Sequence, residues 1–214
     1  MEVIKDQPDW FKKALAVEHV DSFLNISGAN IHYMEWGDKS KPSVIMVHGN
    51  HAHAHWFKFI GGMLADEYHF VVISFSGMGL SDWRSRYDKS TFVEDIWGVA
   101  RKLNLINPVV VGHSFGGMIS LATAENYSEE MSALILVDFI VRKPENHIEW
   151  YKNMPPSRPP KIRASKEELI QRFRLMPPQD CKNQFLLDYI AERSIRQIDQ
   201  GWSWCFDPST YDHL

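Results

Sequence analysis

Five residues, Gly112-His113-Ser114-Phe115-Gly116, constrain this chain more than any others because of what flanks them. Pro108-Val109-Val110-Val111 before them is a short, apolar, β-branched run. Gly117-Met118-Ile119-Ser120-Leu121-Ala122 after them carries apolar residues at helical spacing. A serine between glycines at a strand-to-helix junction predicts a nucleophile elbow. The bend is so tight that the residues two before and two after the serine have almost no room for a side chain. It lifts Ser114 Oγ clear of the backbone, at the positive end of a helix. The bland competitor is a glycine-rich turn with an incidental serine. A strand on one side and a helix on the other favour the elbow.

The rest of the chain supplies a scaffold for such a bend. Residues 9–19 read as a short amphipathic helix or an arm. Val20 to Ser27 and Ala29 to Trp36 read as an antiparallel pair of strands joined at Gly28. Ser43-Val44-Ile45-Met46-Val47, Phe70-Val71-Val72-Ile73 and Ala133-Leu134-Ile135-Leu136-Val137 are wholly apolar or nearly so, the pattern of buried parallel strands. Trp56 to Ala65 has a helical apolar stripe. Thr91-Phe92-Val93-Glu94 reads as a capping box that opens a helix with Phe92, Ile96, Val99, Ala100 and Leu103 on one face. Strands alternating with amphipathic helices predict an α/β fold with a doubly wound, mostly parallel sheet.

After about residue 142 the composition changes. Prolines cluster at Pro155, Pro156, Pro159 and Pro160, and again at Pro177 and Pro178. Helical pieces fall at Lys166 to Leu175 and Asn183 to Gln197. The expected organisation is therefore a core over residues 1–142, a small, mostly helical lid over 143–205 and a return segment over 206–214.

Composition narrows the function classes. A chain of 214 residues with 44% apolar and 23% charged residues is that of an ordinary soluble domain. A net charge of −4 gives no reason to expect nucleic acid or an anionic membrane as partner. Cys181 and Cys205 fit no metal-type spacing and read as reduced thiols, with a single disulfide left open. An acidic, polar N-terminus without a signal-peptide core and no bilayer-length apolar run lead to the expectation of a cytoplasmic protein.

Three motifs in order now carry a resemblance. His48-Gly49-Asn50 follows the third strand, Ser74-Phe75-Ser76-Gly77-Met78-Gly79-Leu80-Ser81-Asp82 follows the fourth, and the elbow follows the fifth. Together they resemble the α/β-hydrolase fold, specifically its lid-bearing esterase, lipase and C–C hydrolase group, from about Ala29 onward. Ser74 and Ser76 stand where the family's D-x-R-G-x-G-x-S turn has Asp and Arg, positions that are generally structural.

The resemblance implies a serine hydrolase that acts on an ester, thioester, lactone or activated C–C bond of a small molecule, with no organic cofactor. Ser114 would be the nucleophile. The backbone N–H groups of Phe115 and, residue for residue, Asn50 would hold the oxyanion, each such donor being worth about 3 kcal/mol in the transition state. An aspartate nucleophile would instead have suggested dehalogenase or epoxide hydrolase chemistry. The family order is Ser, then an acid, then His. Asp138, at the end of the sixth strand, is the candidate acid, against a structural role. No histidine in the chain matches the family's base. His113 is expected behind the sheet or along the pocket, His48 as a brace of its loop, and His147 on the surface or facing the pocket. His213 lacks a strand to carry it.

The apolar strand ending at Val137 has the character of an interior strand, so its outer edge needs a cover. A further C-terminal segment of a longer protein and a partner chain, such as a second copy in a homodimer, are both open. A degenerate, inactive relative that only binds its ligand is the alternative reading. A competitor of another class is a metal-dependent hydrolase using His51, His53 and His55, since residues two apart in an extended segment share a face. Trp202, Trp204 and Phe206 alternate as in one extended stretch, with Asp207-Pro208 turning afterwards.

Overall fold

The computed structural model describes residues 7–141, 159–176 and 178–212. His147, His213 and the boundary near residue 142 lie outside them.

The chain opens with helix α1 (Asp9–Ala16) and then lays down a six-stranded sheet. Strands β1 (Val20–Ile26) and β2 (Ala29–Trp36) form an antiparallel hairpin in which Ile26 faces Ala29, so Ser27-Gly28 is a two-residue turn. Strands β3 (Ser43–Val47), β4 (His69–Ile73), β5 (Val109–His113) and β6 (Ala133–Val137) complete the sheet in the order β1-β2-β4-β3-β5-β6. The β2–β4 pairing is antiparallel; β4–β3, β3–β5 and β5–β6 are parallel.

Helices cover both faces, as two sided apolar strands require. Ile45, Val47, Val71, Ile73 and Val110 point to one face and pack with Phe92, Ile96 and Val99 of α3 (Lys89–Lys102) and Phe115 and Ile119 of α4 (Phe115–Tyr127). Val44, Met46, Phe70 and Val72 point to the other and pack with Ile60 and Leu64 of α2 (Lys58–Leu64). The alternation along each strand thus feeds two separate cores.

Two expectations shift, and the open outer edge of β6 is as expected. Helix α3 begins earlier than the Thr91 box implies: Asp88 is the cap, its side chain accepts from Thr91 N–H at 2.9 Å, and the Thr91 hydroxyl completes the box. Those bonds hold the Asp88 carboxyl down at about 2, the contact with Ser90 first among them. Strand β6 is an edge strand among the described residues. Val110 of β5 is fully buried, whereas Ile135 and Val137 of β6 are 48% and 40% exposed.

Second, the region after residue 158 is less helical than its pattern. Helix α5 is only Lys166–Ile170, and α6 (Gln184–Arg193) stops at Ser194. There the chain turns into a hairpin of β7 (Ile195–Ile198) and β8 (Gly201–Trp204). The Trp202–Trp204 alternation is the extended stretch expected. This region docks through a third cluster in which Tyr189, Ile190 and Phe185 meet Phe11 of α1. Cys181 and Cys205 are both free thiols. No helix among the described residues is long and apolar enough to cross a membrane.

Candidate active site

Strand β5 ends at His113 and helix α4 starts at Phe115, so one residue makes the whole turn between them. That residue, Ser114, sits at φ +52° and ψ −116°. A non-glycine residue in this region costs about 1–2 kcal/mol and persists only where its surroundings dictate it. They do so on three sides. Ser114 N–H donates to Val137 O at 2.9 Å, and Gly117 N–H donates to Ser114 O at 2.8 Å. A methyl group on Gly112 would lie 2.5 Å from Ser120 Oγ and 2.6 Å from Gly116 O. One on Gly116 would lie 2.5 Å from His48 O. The glycines two before and two after the serine are therefore demanded by contact. Ser114 itself is only half-buried.

The loop after β3 closes on this bend. A methyl on Gly49 would lie 3.2 Å from Ser114 Cβ and 2.9 Å from His113 Nδ1. His48 braces the loop: its Nδ1–H donates to Gly49 O at 2.8 Å while Nε2 accepts from Phe75 N–H at 3.0 Å. That arrangement fixes its tautomer, and complete burial pushes its pKa down to about 3. Ala52 N–H donates to Gly49 O at 3.2 Å, closing a turn whose third residue, His51, is left-handed at φ +53°. Asn50 is exposed on that turn. Phe115 is the first residue of α4, where N–H groups have no acceptor within the helix.

Asp138 follows β6 at φ +50°, with its side chain 84% exposed. Its carboxylate lies 3.9 Å from His113 Nε2. His113 also sits beside the Phe57 ring, and burial lowers its pKa, with Asp138 pulling the other way. Thus His113 faces Asp138 and the β3 loop.

The histidine-rich loop does not converge. The His51 ring stacks on Phe206 at 3.8 Å; His53 Nε2 lies 3.0 Å from Ser194 Oγ; His55 stacks on His32, 5.3 Å away. The His53 and His55 rings do meet edge-on at 5.7 Å, but His51 is stacked elsewhere, and the described residues contain no group of three His, Cys, Asp or Glu side chains placed to hold a metal. The metal-hydrolase competitor fails on this geometry. None of the eight histidines among the described residues hydrogen-bonds Ser114 Oγ, and His51 Nε2, His53 Nδ1 and His113 Nδ1 are buried without a hydrogen-bond partner among those residues. His19 meets Val17 O, His69 meets Glu35, and His32 bridges Asp21 and Ser74.

Residues 42–173 match the family defined by the alpha/beta hydrolase fold. The chain belongs to the α/β-hydrolase family. Among curated relatives it is 28% identical over 116 residues to epoxide hydrolase 4 of Homo sapiens, covering 53% of this chain and 32% of that one. It is 26% identical over 202 residues to a serine hydrolase-like protein of Mus musculus, covering 86% and 63%. Among solved structures, E-2-(acetamidomethylene)succinate hydrolase superposes with a TM-score of 0.72 at 19% identity, over 91% of this chain and 71% of that one. This α/β-hydrolase chain thus spans about a third of the first of these relatives.

Two features of the site were not legible in the sequence. The turn after β4 carries serines where the family has Asp and Arg, and a buried carboxylate makes up the difference. Asp95 Oδ2 accepts from Ser76 N–H at 2.8 Å and from Ser76 Oγ at 2.7 Å, while Arg84 Nη2 reaches Asp95 Oδ1 at 3.1 Å. Burial still raises the Asp95 carboxyl to about 6, against those bonds. The second feature is the return segment, whose Tyr211 hydroxyl donates to Asn50 Oδ1. Neither pairing has a local sequence signal, because the partners are far apart in the chain.

Proposed function

We propose that this chain is the nucleophile-bearing part of a serine hydrolase. It would cleave an ester, thioester, lactone or activated C–C bond of a small molecule through an acyl-enzyme on Ser114. The observation that carries this reading is the strained, half-exposed serine at the β5–α4 turn, with the Gly49 loop against its Cβ.

In this reading Ser114 Oγ attacks the carbonyl carbon and its proton passes to a base. None of the eight described histidines is placed to be that base. The N–H groups of Phe115 and Asn50 stabilise the oxyanion that forms. The tetrahedral species collapses, the leaving group departs protonated, and water releases the acid by the same steps in reverse. Asp138 is the candidate acid of the triad, supported by its place at the C-terminal end of a parallel strand. The segment over 143–205, of which residues 159–176 and 178–205 are described, is proposed as the lid, supported by its docking on α1. A serine at the bend fits the serine hydrolase-like relative better than an aspartate-nucleophile mechanism.

A fluorophosphonate probe tests this on the full-length protein. Covalent labelling should map to Ser114 by mass spectrometry and vanish in Ser114→Ala. A natively folded full-length protein that takes no label at Ser114 would instead support the inactive, ligand-binding alternative.

A further inference from the structure

The segment after β8 does not leave the body of the molecule. Gly79 N–H donates to Cys205 O at 2.8 Å, and Asp207 N–H donates to Gly77 O at 2.7 Å. Tyr87 OH donates to Asp207 Oδ2 at 2.8 Å, so the strap is anchored by a buried side chain as well as by backbone. Asp207 Oδ1 then accepts from Ser209 N–H at 2.9 Å and starts a single 3₁₀ turn, Pro208–Tyr211. With its first residue fixed, the turn delivers its last residue, Tyr211, onto the elbow.

Tyr211 touches the site at three points. Its ring meets the Phe115 ring edge-on, with centroids 5.2 Å apart at 85°. It lies 5.3 Å from the His51 ring, which is itself stacked on Phe206. Its hydroxyl donates to the Asn50 side chain. One phenol therefore contacts both residues whose backbone N–H groups would hold the oxyanion, and also the left-handed residue between the loop and the strap.

We propose that Tyr211 is a positioning residue that sets Asn50 and Phe115 at the spacing the oxyanion requires; this rests on the serine-hydrolase reading. The physical need is clear from the loop. His51 at φ +53° is a conformation that a free turn would leave, rotating the adjoining peptides as it did so. Donors aimed at a developing charge lose most of their effect when displaced, and a 1 Å error costs on the order of 100-fold in rate. The Phe206 stack and the Tyr211 hydroxyl add side-chain contacts to the turn's own hydrogen bond from Ala52 N–H to Gly49 O. Tyr211 acts through its neighbours, so its loss should weaken the transition state and leave substrate binding alone.

The test uses the full-length protein with short acyl nitrophenyl esters and two variants. Tyr211→Phe removes only the hydroxyl and should lower kcat roughly 10-fold at unchanged KM; Tyr211→Leu removes the ring contacts as well and should lower it about 100-fold. The rate of Ser114 phosphonylation should fall in step with kcat, a readout that a merely structural role would not move. A Tyr211→Phe protein with wild-type kcat, or with its defect confined to KM, overturns the proposal. Ser114→Ala measured alongside separates the two claims. If it is dead while Tyr211→Phe is unimpaired, only the positioning role fails. If it turns over like wild type, the nucleophile assignment fails and the positioning role with it.

Discussion

Two short stretches invite a catalytic reading, and the fold treats them in opposite ways. At the elbow, the glycines are pressed against backbone and Ser114 is left only half-buried, with nothing hydrogen-bonded to its Oγ among the described residues. In the loop His51 to His55, backbone is unremarkable save at His51, and the imidazoles are taken up by packing. His53 and His55 are buried, 1% and 8% exposed, each with a partner of its own. Reactive residue types therefore say less than what holds them. A functional atom is one that the fold pays to keep accessible, whereas the loop histidines are closed in by packing, with His51 Nε2 and His53 Nδ1 buried and unpaired among the described residues.

The sharpest way to break this contrast is Ser114→Ala. Turnover of short acyl nitrophenyl esters by the full-length protein should fall by at least about 1,000-fold with the fold intact. Unchanged turnover would put the elbow on the same footing as the loop. Next in size is Gly116→Ala, whose methyl must displace His48 O. It should cost roughly 1–3 kcal/mol in urea unfolding and much of the activity with it. An unperturbed, fully active variant would mean that the bend is looser than its contacts require.

His53→Ala should do the reverse of the serine change. It removes the contact with Ser194 Oγ and leaves a cavity, so stability should drop by about 2 kcal/mol while kcat holds. Lost activity without lost stability would restore the loop as a chemical site. The last effect is graded with pH: it is small for each group near pH 6.5 and grows as the pH falls. Burial pushes His48 and His55 down to about 3 and His51 to about 4, and holds His53 well below its ordinary value of 6.5. Their folded pKa values lie below the unfolded one, so below about pH 6.5 the unfolded chain takes up protons that the native state refuses. Each group then removes about 1.4 kcal/mol per pH unit until its own folded pKa is reached. Unfolding free energies at pH 7.5, 6 and 5 should decline steadily; a flat profile would show the imidazoles to be solvated.

Much of the scaffold could be read directly. β3, β4 and β5 declare themselves because an apolar, largely β-branched run of three or four fits little else than a strand covered on both sides. The helix caps and region 183–204 were harder. Asp88 and Thr91 both suit an N-cap, and only the observed bonds decide between them. The stretch from Ile195 keeps a pattern compatible with helix, yet pairing with β8 wins, because a hairpin satisfies its backbone while Ser194 ends α6. β6 looks like an interior strand from its residues alone; its position in the sheet is set by which neighbours pair with it.

The sequence by itself determined the alternation of strands and helices and the elbow, since both depend on residues adjacent in the chain. Gly112, Ser114 and Gly116 specify one another's conformation within a single turn. Only the tertiary structure decided the fate of the histidines, the Asp95 network that stands in for the altered turn, and the placing of Tyr211 over Asn50. Most of those arrangements join residues 11 or more positions apart, and up to 161. Their partners are chosen by the path of the sheet and the return strap, about which local propensity carries no information.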